Sequence, residues 1–569
     1  MGPASKAVFI ERSDLEKRFS AIQLQIAREA LEQDARLQSV LNPLGVRSEE
    51  DAFYLLAKSL GLDLVDLAKT EIPDDILDRF PVKMIHRYNI FPLGIQEDNK
   101  LLIAIGNPFD LNAIDGISAA AGQPVCPVLA LPNELAKLIK SNLGVGAETI
   151  DGLLAQSDEQ GVEVLEEIDW DQSGDAAMAQ EASVVRLVND ILTEAVELGT
   201  SDIHIEAQES GMKVRYRIDG VLQTQPMPPE INRFQSSIVS RLKIMARLNI
   251  AEKRIPQDGR IKLKVANREI DLRLSIIPML HGEGIVMRIL DKDRMNFTLR
   301  GVGMDQDIYD QFGRLIKLPH GIILVTGPTG SGKTTTLYSA LNEIKSEDTK
   351  IITTEDPIEY QLDGINQIQV HTKVGLTFAA SLRAILRHDP DVVLVGEIRD
   401  LETATNAIQA SLTGHLVFST LHTNDAAGAY TRMIDMGIEP FLVSTTVEGI
   451  MAQRLIRKLC KHCKEPYIPD RSEIPSDFPV DRLQDKDVQI FRPKGCRECR
   501  QTGYSGRAAI YELLIPDDEV RRLAGSNAPS SEVKKAARAA GMQTLRENGW
   551  KKVLSGLTSI DEIIRTAAN

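Results

Sequence analysis

The sequence of 569 residues is poor in long apolar runs, in positive charge and in cysteine. It contains no run of 18 or more apolar residues, which excludes a membrane-spanning helix of ordinary length. The first residues, MGPASKAVFIERSDLEK, lack the apolar stretch of a signal peptide, so we expect a cytoplasmic protein. The net charge of −15 opposes a nucleic-acid motor, whose duplex-binding surface is usually strongly basic, although a local basic patch can exist within an acidic total.

Cysteine is scarce but not scattered, since four of the five cysteines form two CxxC pairs. The pairs are Cys460-Lys-His-Cys463 and Cys496-Arg-Glu-Cys499, with 32 residues between them. In a chain expected in the cytoplasm this spacing indicates a metal site rather than disulfides. Four thiolates suit a tetrahedral, structural Zn²⁺ site, and the Pro- and Asp-rich segment between the pairs has little core of its own. We expect the fifth cysteine, Cys126, to be a small buried hydrophobe.

The length predicts three or four domains, and the sequence pattern suggests where they divide. We expect an α/β fold class overall, with alternating strands and helices that form a mostly parallel sheet in the second half. A helix with Ser183 as its N-cap is predicted to open the middle domain, in which period-two segments indicate a half-exposed sheet. The predicted segments are 1–143, a helical start and small α/β module; 144–182, an acidic flexible linker; 183–300, the half-exposed sheet; 301–455, the parallel sheet; 456–510, the tetracysteine element; and 511–569, a helical C-terminal region.

A glycine-rich stretch in the second half has the spacing GxxxxGK[ST] of a phosphate-binding loop. A β-branched and aliphatic run precedes the stretch and a helix-forming segment follows it, as such a loop requires. Small residues let backbone N–H groups turn inward toward an anion, and the helix N-terminus adds its positive end. We predict that Lys333 binds the outer phosphates of ATP and that Thr334 ligates Mg²⁺. The predicted nucleotide-binding residues are Gly327, Pro328, Thr329, Gly330, Ser331, Gly332, Lys333, Thr334 and Thr335, with Glu355 beyond the loop.

Acidic residues and one histidine follow three later strands of the predicted sheet. Glu355 and Glu359 come after one strand, Glu397 after the next, and His422 after a third. Ligands of α/β sheets bind at the carboxyl ends of the strands, so these side chains should meet the phosphates there. We assign Glu397 to the metal and Glu359 to the attacking water, with the reverse assignment left open. His422 would sense the γ-phosphate.

Arginines are expected to complete the site, because the loop lysine meets only part of the negative charge on a transferring phosphoryl group. Arg383 and Arg387 are four residues apart, so we predict that they share one face of a helix. Arg215, Arg233 and Arg399 are further candidates, some of them supplied by the adjacent domain or a neighbouring subunit.

The strings GPTGSGKTTTLY, ITTEDPIEY, LRAILRHDPDVVLVGEIRD and TGHLVFSTLHTN together resemble the secretion ATPase family that drives type II secretion and type IV pilus assembly. The resemblance extends to SDIHIE, RYRIDG and AEKRIPQDGRI upstream. It implies a RecA-like P-loop motor preceded by a PAS-like domain, assembled as a hexamer, with arginines reaching in from the PAS-like side. It supports Arg215, Arg383 and Arg387, whereas Arg233 lies in a loop with no determined alignment. A tetracysteine segment is a feature of the family's assembly ATPases, which favours assembly over retraction.

The N-terminal module is similar to the family domain that docks onto an inner-membrane platform protein or a cytoplasmic ring component. In some members this domain carries a cyclic di-GMP site with an RLG motif and a later glutamine. This chain has Arg36-Leu37-Gln38 at the motif and Ser59 near the glutamine, which opposes that ligand and favours a helical docking surface.

Three functions remain as hypotheses at this point. The first is an ATP-driven motor for type II secretion pseudopilus assembly, with type IV pilus assembly as the alternative within the family. The second is a RecA-like nucleic-acid translocase, which the acidic charge and the tetracysteine element oppose. The third is a scaffold that binds nucleotide without turnover, which the intact Lys333, Glu359 and Glu397 oppose.

Overall fold

In a computed structural model, the chain forms two compact units. Unit one comprises Met1–Val265 and Asp271–Ile289, and unit two comprises Ala266–Ile270 and Leu290–Asn569. The structure describes residues 7–567 except 13–14, 16–17, 34, 43–44, 74–75, 78–83, 86–87, 97–99, 111–116, 119–123, 144–173, 266–267, 292–296, 471–473 and 485–488. Within this part of the chain, none of the helices combines the length and the apolar character needed to cross a membrane.

Unit one begins with three helices and a small sheet. The helices are α1 (Ala21–Glu32), α2 (Leu37–Leu41) and α3 (Glu49–Leu60). Ser20 and Gln23 cap α1 reciprocally, and Ser48 caps α3, which explains where both helices begin. Strands β1 (Ile90–Ile95) and β2 (Leu101–Ile105) run antiparallel and begin the predicted small α/β module. Strand β3 (Val125–Leu129) pairs parallel with β2, and α4 (Pro132–Leu143) follows it.

The middle of the chain contains a long helix and a six-stranded sheet. Helix α5 spans Gly174–Glu197, so the prediction that Ser183 caps its start was wrong. Its first turns are rich in Ala, Gln and Glu, which are good helix formers but carry little apolar periodicity to reveal them in a sequence. The greater part of the predicted linker, 144–173, lies outside the described residues.

The predicted period-two segments form a six-stranded sheet, in which the strands are joined in the order β6-β5-β4-β9-β8-β7. Buried and half-exposed side chains alternate along β5, as a sheet with one covered face requires. A 3₁₀ turn (Pro229–Phe234) and α6 (Gln235–Met245) stand between the two halves of this sheet in the chain. The strands are β4 (Asp202–Gln208), β5 (Gly211–Ile218), β6 (Val221–Thr224), β7 (Gln257–Val265), β8 (Arg268–Met279) and β9 (Gly282–Asp291).

Unit two contains a seven-stranded sheet in the order β12-β11-β13-β14-β10-β15-β18. Every neighbouring pair is parallel except β15 with β18, which confirms the predicted mostly parallel α/β sheet. Its strands are β10 (Gly321–Thr326), β11 (Ile351–Glu355), β12 (Asn366–Gln369), β13 (Val392–Val395), β14 (Leu416–Leu421), β15 (Val447–Leu459) and β18 (Tyr504–Leu514).

Helices cover both faces of this sheet, which explains why its central strands read as continuous apolar runs. Ile322 and Leu324 of β10 join one hydrophobic cluster, whereas Ile323 and Val325 join the other. The helices up to β15 are α7 (Gln306–Leu315), α8 (Lys333–Ile344), α9 (Phe378–Ile385), α10 (Leu401–Leu412), α11 (Gly428–Asp435) and α12 (Pro440–Thr446).

Beyond β15 the chain forms the tetracysteine segment and then returns to the sheet. The segment contains the two-residue strands β16 (Glu465–Pro466) and β17 (Phe491–Arg492) and 3₁₀ turns at Val480–Gln484 and Arg497–Cys499. After β18 the chain ends in α13 (Asp518–Gly525), α14 (Ser530–Ala539), α15 (Leu545–Leu554) and α16 (Ile560–Thr566). Because β10, β11, β13 and β14 are parallel, their carboxyl ends lie at one edge of the sheet, where the predicted site residues follow them.

Candidate functional site

The phosphate loop connects the end of β10 to the start of α8. Gly327 and Gly332 have φ values of +145° and +89°, which residues other than glycine rarely adopt. A Cβ atom at Gly327 would lie 2.5 Å from the backbone oxygen of Gln453, so the space is closed as well. Helix α8 begins at Lys333, so its unpaired N–H groups face the loop. Local backbone geometry therefore requires the glycines that the spacing predicted.

Lys333 is folded into the loop and is 9% exposed. Its Nζ donates to the backbone oxygens of Gly327 at 2.7 Å and Pro328 at 3.2 Å. Burial lowers the pKa of Lys333 to about 8, partly offset by the negative charge of Glu397. Ser331 Oγ is also buried and has no hydrogen-bond partner among the residues that the structure describes. A buried cation and an orphaned hydroxyl in a glycine loop fit the phosphates of a nucleotide.

Glu397 and His422 lie together at the edge of the sheet. Glu397 follows β13, and its Oε2 accepts a hydrogen bond of 2.6 Å from Arg399 Nε. His422 follows β14, and its Nε2 is 3.6 Å from the same Oε2. Since Glu397 also acts on the charge of Lys333, the structure brings lysine, glutamate and histidine to one place. Such an arrangement can hold a metal–phosphate complex and respond to the presence of its negative charge.

The two acids after β11 differ from each other. Glu355 is buried and accepts hydrogen bonds from Tyr338 Oη, from Thr353 Oγ1 at 2.6 Å and from Gln367 Nε2 at 3.1 Å. Burial and the nearby carboxylate of Glu355 both raise the pKa of Tyr338. Glu359 lies four residues further on, in the half-buried loop beyond the strand. Glu355 is thus enclosed by protein donors, and its contact with nucleotide stays a prediction.

Of the arginines predicted in unit two, Arg399 contacts Glu397, whereas Arg383 and Arg387 have partners elsewhere. Arg383 is on α9 and forms an ion pair with Glu402. The helix ends at Ile385, so Arg387 lies beyond it, and the prediction of a shared helix face was wrong. The chain turns there because Asp389, just before Pro390, has a φ of +52°. Arg387 Nη1 instead donates to the backbone oxygen of Arg383 at 2.8 Å.

Unit one contains the other two predicted arginines and a basic cleft that the sequence reasoning missed. Arg215 on β5 is paired with Glu206 on β4, and Arg233 ends the 3₁₀ turn with its side chain exposed. The cleft is about 480 Å³ in volume and is lined by Arg260, Arg273 and Arg288, with Asp202 and Asp258 among its other residues. The alternation of side chains along β7, β8 and β9 puts the three arginines on a sheet face, but the sequence alone does not determine the register between these strands.

Two further residues beside the phosphate loop were missed. Gln453 and Arg454 lie on β15, which pairs parallel with β10. Gln453 is buried and its Oε1 accepts a hydrogen bond of 2.8 Å from Thr336 of α8. The segment MAQRL carries no phosphate-loop motif, and only the pairing of β15 with β10 places these residues beside the loop.

The four cysteines of the CxxC pairs converge as predicted. Their Sγ atoms all lie within 4.8 Å of one another. Backbone N–H groups of Cys496 and Gly503 each donate to Cys499 Sγ at 3.2 Å, an arrangement that favours a thiolate. A compact set of four sulfurs can hold a structural Zn²⁺. His462 lies inside the first pair in sequence and is not one of the four.

In the N-terminal module, Gln38 and Ser59 are engaged within the chain. Gln38 Nε2 donates to the backbone oxygen of Arg47 at 2.8 Å. The Ser59 hydroxyl accepts from the Phe19 backbone N–H at 2.7 Å and donates to the Leu55 oxygen at 2.7 Å. Both residues that depart from the cyclic di-GMP pattern therefore have structural partners.

Comparison with known proteins identifies the relatives of this site. Residues 177–565 match the family described as type II/IV secretion system protein, which is more than half of the chain. The chain belongs to this family. Residues 60–148 also match the MshEN domain. As a member of this family of secretion ATPases, the protein is an ATP-hydrolysing enzyme, and the sheet of unit two is its RecA-like core.

Individual relatives extend the match to nearly the whole chain. The type II secretion system protein E of Xanthomonas campestris is 45% identical over 541 residues, covering 93% of this chain and 92% of its own. The type IV pilus assembly ATPase PilB of Myxococcus xanthus is 40% identical over 560 residues, covering 97% of each. Among solved structures, the pilus retraction motor PilT with bound ADP is 28% identical and covers 66% of this chain and 95% of its own, with a TM-score of 0.44.

Proposed function

We propose that the protein is the ATPase motor of a type II secretion machine and that its hydrolysis of ATP powers pseudopilus assembly. The observation that carries the proposal is the convergence of Lys333, Glu397 and His422 at the phosphate loop, in a chain that matches a type II secretion relative almost from end to end. The tetracysteine site supports an assembly motor, as the sequence resemblance implied.

In this proposal the phosphate loop, from Gly327 to Thr335, binds the phosphates through backbone N–H groups. Lys333 turns its Nζ from the carbonyls of Gly327 and Pro328 to the outer phosphates. Thr334 and Glu397 would hold Mg²⁺, which neutralises phosphate charge when bound. Glu359 orients and deprotonates the attacking water, and exchange of roles between Glu359 and Glu397 is the alternative. His422 follows the γ-phosphate through its contact with Glu397.

We further propose that the active form is a homohexamer. Arg383 and Arg387 are exposed, and Arg215, Arg233 and the basic cleft lie in unit one, so a neighbouring subunit can supply the positive charge that one loop lacks. The test is light scattering of the full chain with a non-hydrolysable ATP analogue. A mass near six times 62.8 kDa supports the ring, and a monomer at high concentration contradicts it.

The proposed location is the cytoplasmic face of the inner membrane, reached through partners. The N-terminal module would dock onto a platform protein or a cytoplasmic ring component. Cyclic di-GMP is the ligand to test at this module, since residues 60–148 match the MshEN domain. The engaged side chains of Gln38 and Ser59 predict no binding, and saturable heat on titration of the full chain with cyclic di-GMP would contradict this.

Type IV pilus assembly is the second candidate, because the PilB relative matches the chain over the same length. Deletion of the gene in its own organism separates the two. Loss of secreted enzymes with intact surface pili supports type II secretion, whereas loss of pili with normal secretion supports the alternative. The wild-type gene should restore the phenotype and a Lys333→Ala gene should not.

A further inference from the structure

Strand β15 passes directly beside the phosphate loop. Strand β15 pairs in parallel with β10, and the last pair is Thr326 with Ala452. The next residues of β15, Gln453 and Arg454, therefore lie beside the start of the phosphate loop at Gly327. Two glycines of the phosphate loop show how close Gln453 of β15 lies to the loop. A Cβ at Gly327 would lie 2.5 Å from the oxygen of Gln453, and one at Gly332 would lie 2.8 Å from Gln453 Nε2.

The alternation of side chains along β15 determines where Arg454 projects. Gln453 and Leu455 both face Gly332, since Leu455 Cδ2 would lie 3.6 Å from a Cβ there. Arg454 therefore leaves the strand on the opposite side. Its Nη2 donates to Asn424 Oδ1 at 3.0 Å, two residues beyond His422. The guanidinium of Arg454 thus contacts the loop that carries His422, and its charge acts on Lys333 of the phosphate loop.

The charge of Arg454 has little compensation in its surroundings. Its side chain is half-buried, and in the part of the chain that the structure describes it forms no ion pair within 4 Å. Burial lowers the pKa of Arg454, and its charge contributes to the lowered pKa of Lys333. Glu397 acts on the charge of Lys333 and lies 3.6 Å from His422, but it is hydrogen-bonded to Arg399. Burial lowers the pKa of both cations, and the charge of Glu397 offsets this only at Lys333, so an additional anion would stabilise the pair.

We propose that Arg454 is a phosphate-binding residue supplied by the same chain, that it contacts the outer phosphates of the bound nucleotide, and that Asn424 positions its guanidinium. The inference rests on the nucleotide site of the proposed function and adds a residue to it. Arginine suits this task because its planar fork matches phosphate oxygens in pairs. Asn424 is a positioning residue, since it acts on the nucleotide only through Arg454.

The experiment measures equilibrium binding of fluorescent ATP and ADP to the full chain and to single variants. Arg454→Gln should weaken ATP binding about tenfold and ADP binding less, because the outermost phosphate is lost in ADP. Arg454→Lys, which keeps the charge, should lie between wild type and Arg454→Gln. Asn424→Ala should weaken ATP binding by a smaller factor than Arg454→Gln. Lys458→Gln is the matched control, because it removes one positive charge from the same strand and should leave both affinities unchanged.

Two outcomes would overturn the inference and leave the proposed function standing. Equal losses of ATP and ADP affinity in Arg454→Gln and Asn424→Ala would mean that the Arg454–Asn424 hydrogen bond only holds the loop of His422 against the sheet. Unchanged ATP affinity in Arg454→Gln would mean that the residue does not contact phosphate. If Arg454→Gln fails to fold, judged by its melting temperature, the Arg454→Lys result decides the matter in the same way. Failure of the wild type to bind either nucleotide would overturn the proposed function together with the inference.

Discussion

The two candidate sites of unit two lie along the same strand but differ in how complete they are. Strand β15 passes the phosphate loop at Gln453 and ends at Leu459, directly before Cys460. The four cysteine sulfurs lie within 4.8 Å of one another and come from one short segment. The phosphate loop instead has a buried lysine bonded to backbone carbonyls, an orphaned serine hydroxyl and an arginine without an acidic partner among the described residues.

This difference separates a permanent ligand from one that turns over. A site with all its ligands in place binds its ion as part of folding. A site that places desolvated charges beside weak partners stabilises an incoming anion more than it stabilises itself. The following predictions test this contrast, from the largest expected effect to the smallest.

Lys333→Ala should abolish ATP hydrolysis, with a rate at least ~100-fold lower, while the fold remains. The lysine is 9% exposed and pays a desolvation cost, so its removal should shift the melting temperature by less than about 2 °C. Phosphate release and a thermal melt measure both effects. Lys345→Ala, at the other end of α8, is the control and should keep the rate. A Lys333→Ala enzyme with more than a tenth of the wild-type rate would contradict the assignment.

Replacement of Cys460 and Cys496 by serine should disturb the local fold and leave nucleotide binding nearly intact. Zinc content should fall from about one ion per chain to none, because two of four ligands are lost. The segment 456–510 should lose protection from hydrogen exchange, whereas ADP affinity should change less than about threefold. Cys126→Ser, at the fifth cysteine, should leave the zinc content unchanged. A double variant that still binds a full equivalent of zinc would show that the cysteines are not the ligands.

Glu562→Gln should destabilise unit two by about 3 kcal/mol, because it breaks a buried ion pair. The carboxylate is buried and accepts hydrogen bonds from Arg457 Nη2 at 2.7 Å and Arg565 Nη2 at 2.6 Å. Burial alone would raise the pKa of Glu562, but the hydrogen bonds from the two arginines outweigh it and lower the pKa below its ordinary value of 4.5.

The sign of the pH dependence follows from this lowered pKa. Ionised Glu562 contributes its full stability above pH 4.5, and the contribution is lost as the pH falls through the lower folded-state pKa. Urea unfolding should therefore give a smaller difference between wild type and Glu562→Gln at pH 3.5 than at pH 7. A difference that stays constant or grows on acidification would exclude this ion pair as the source.

The sequence predicted most of the sheet because the determining signals are local. Buried parallel strands read as short apolar runs, which located β10, β11, β13 and β14 and hence Lys333, Glu397 and His422. The CxxC spacing likewise located all four cysteines. In each case the residues that determine the local fold and the residues that form the site are close together in the sequence.

The features that were missed depend on contacts between distant residues. Gln453 reaches the phosphate loop, and Arg454 reaches Asn424, only because β15 pairs with β10, more than a hundred residues earlier. Arg387 left the expected helix face because α9 ends before it. Arg273 and Arg288 line a cleft that depends on the register of three strands. A single sequence contains no direct signal for such pairings.

The most direct test of the account is a comparison of binding and turnover in Glu397→Gln. Glu397 is assigned to the Mg²⁺ that assists hydrolysis and Lys333 to binding of the phosphates, so the two functions should separate. We expect ATP affinity within about threefold of wild type and a hydrolysis rate at least ~100-fold lower. An unchanged hydrolysis rate, or an equal loss of affinity and rate, would contradict the account.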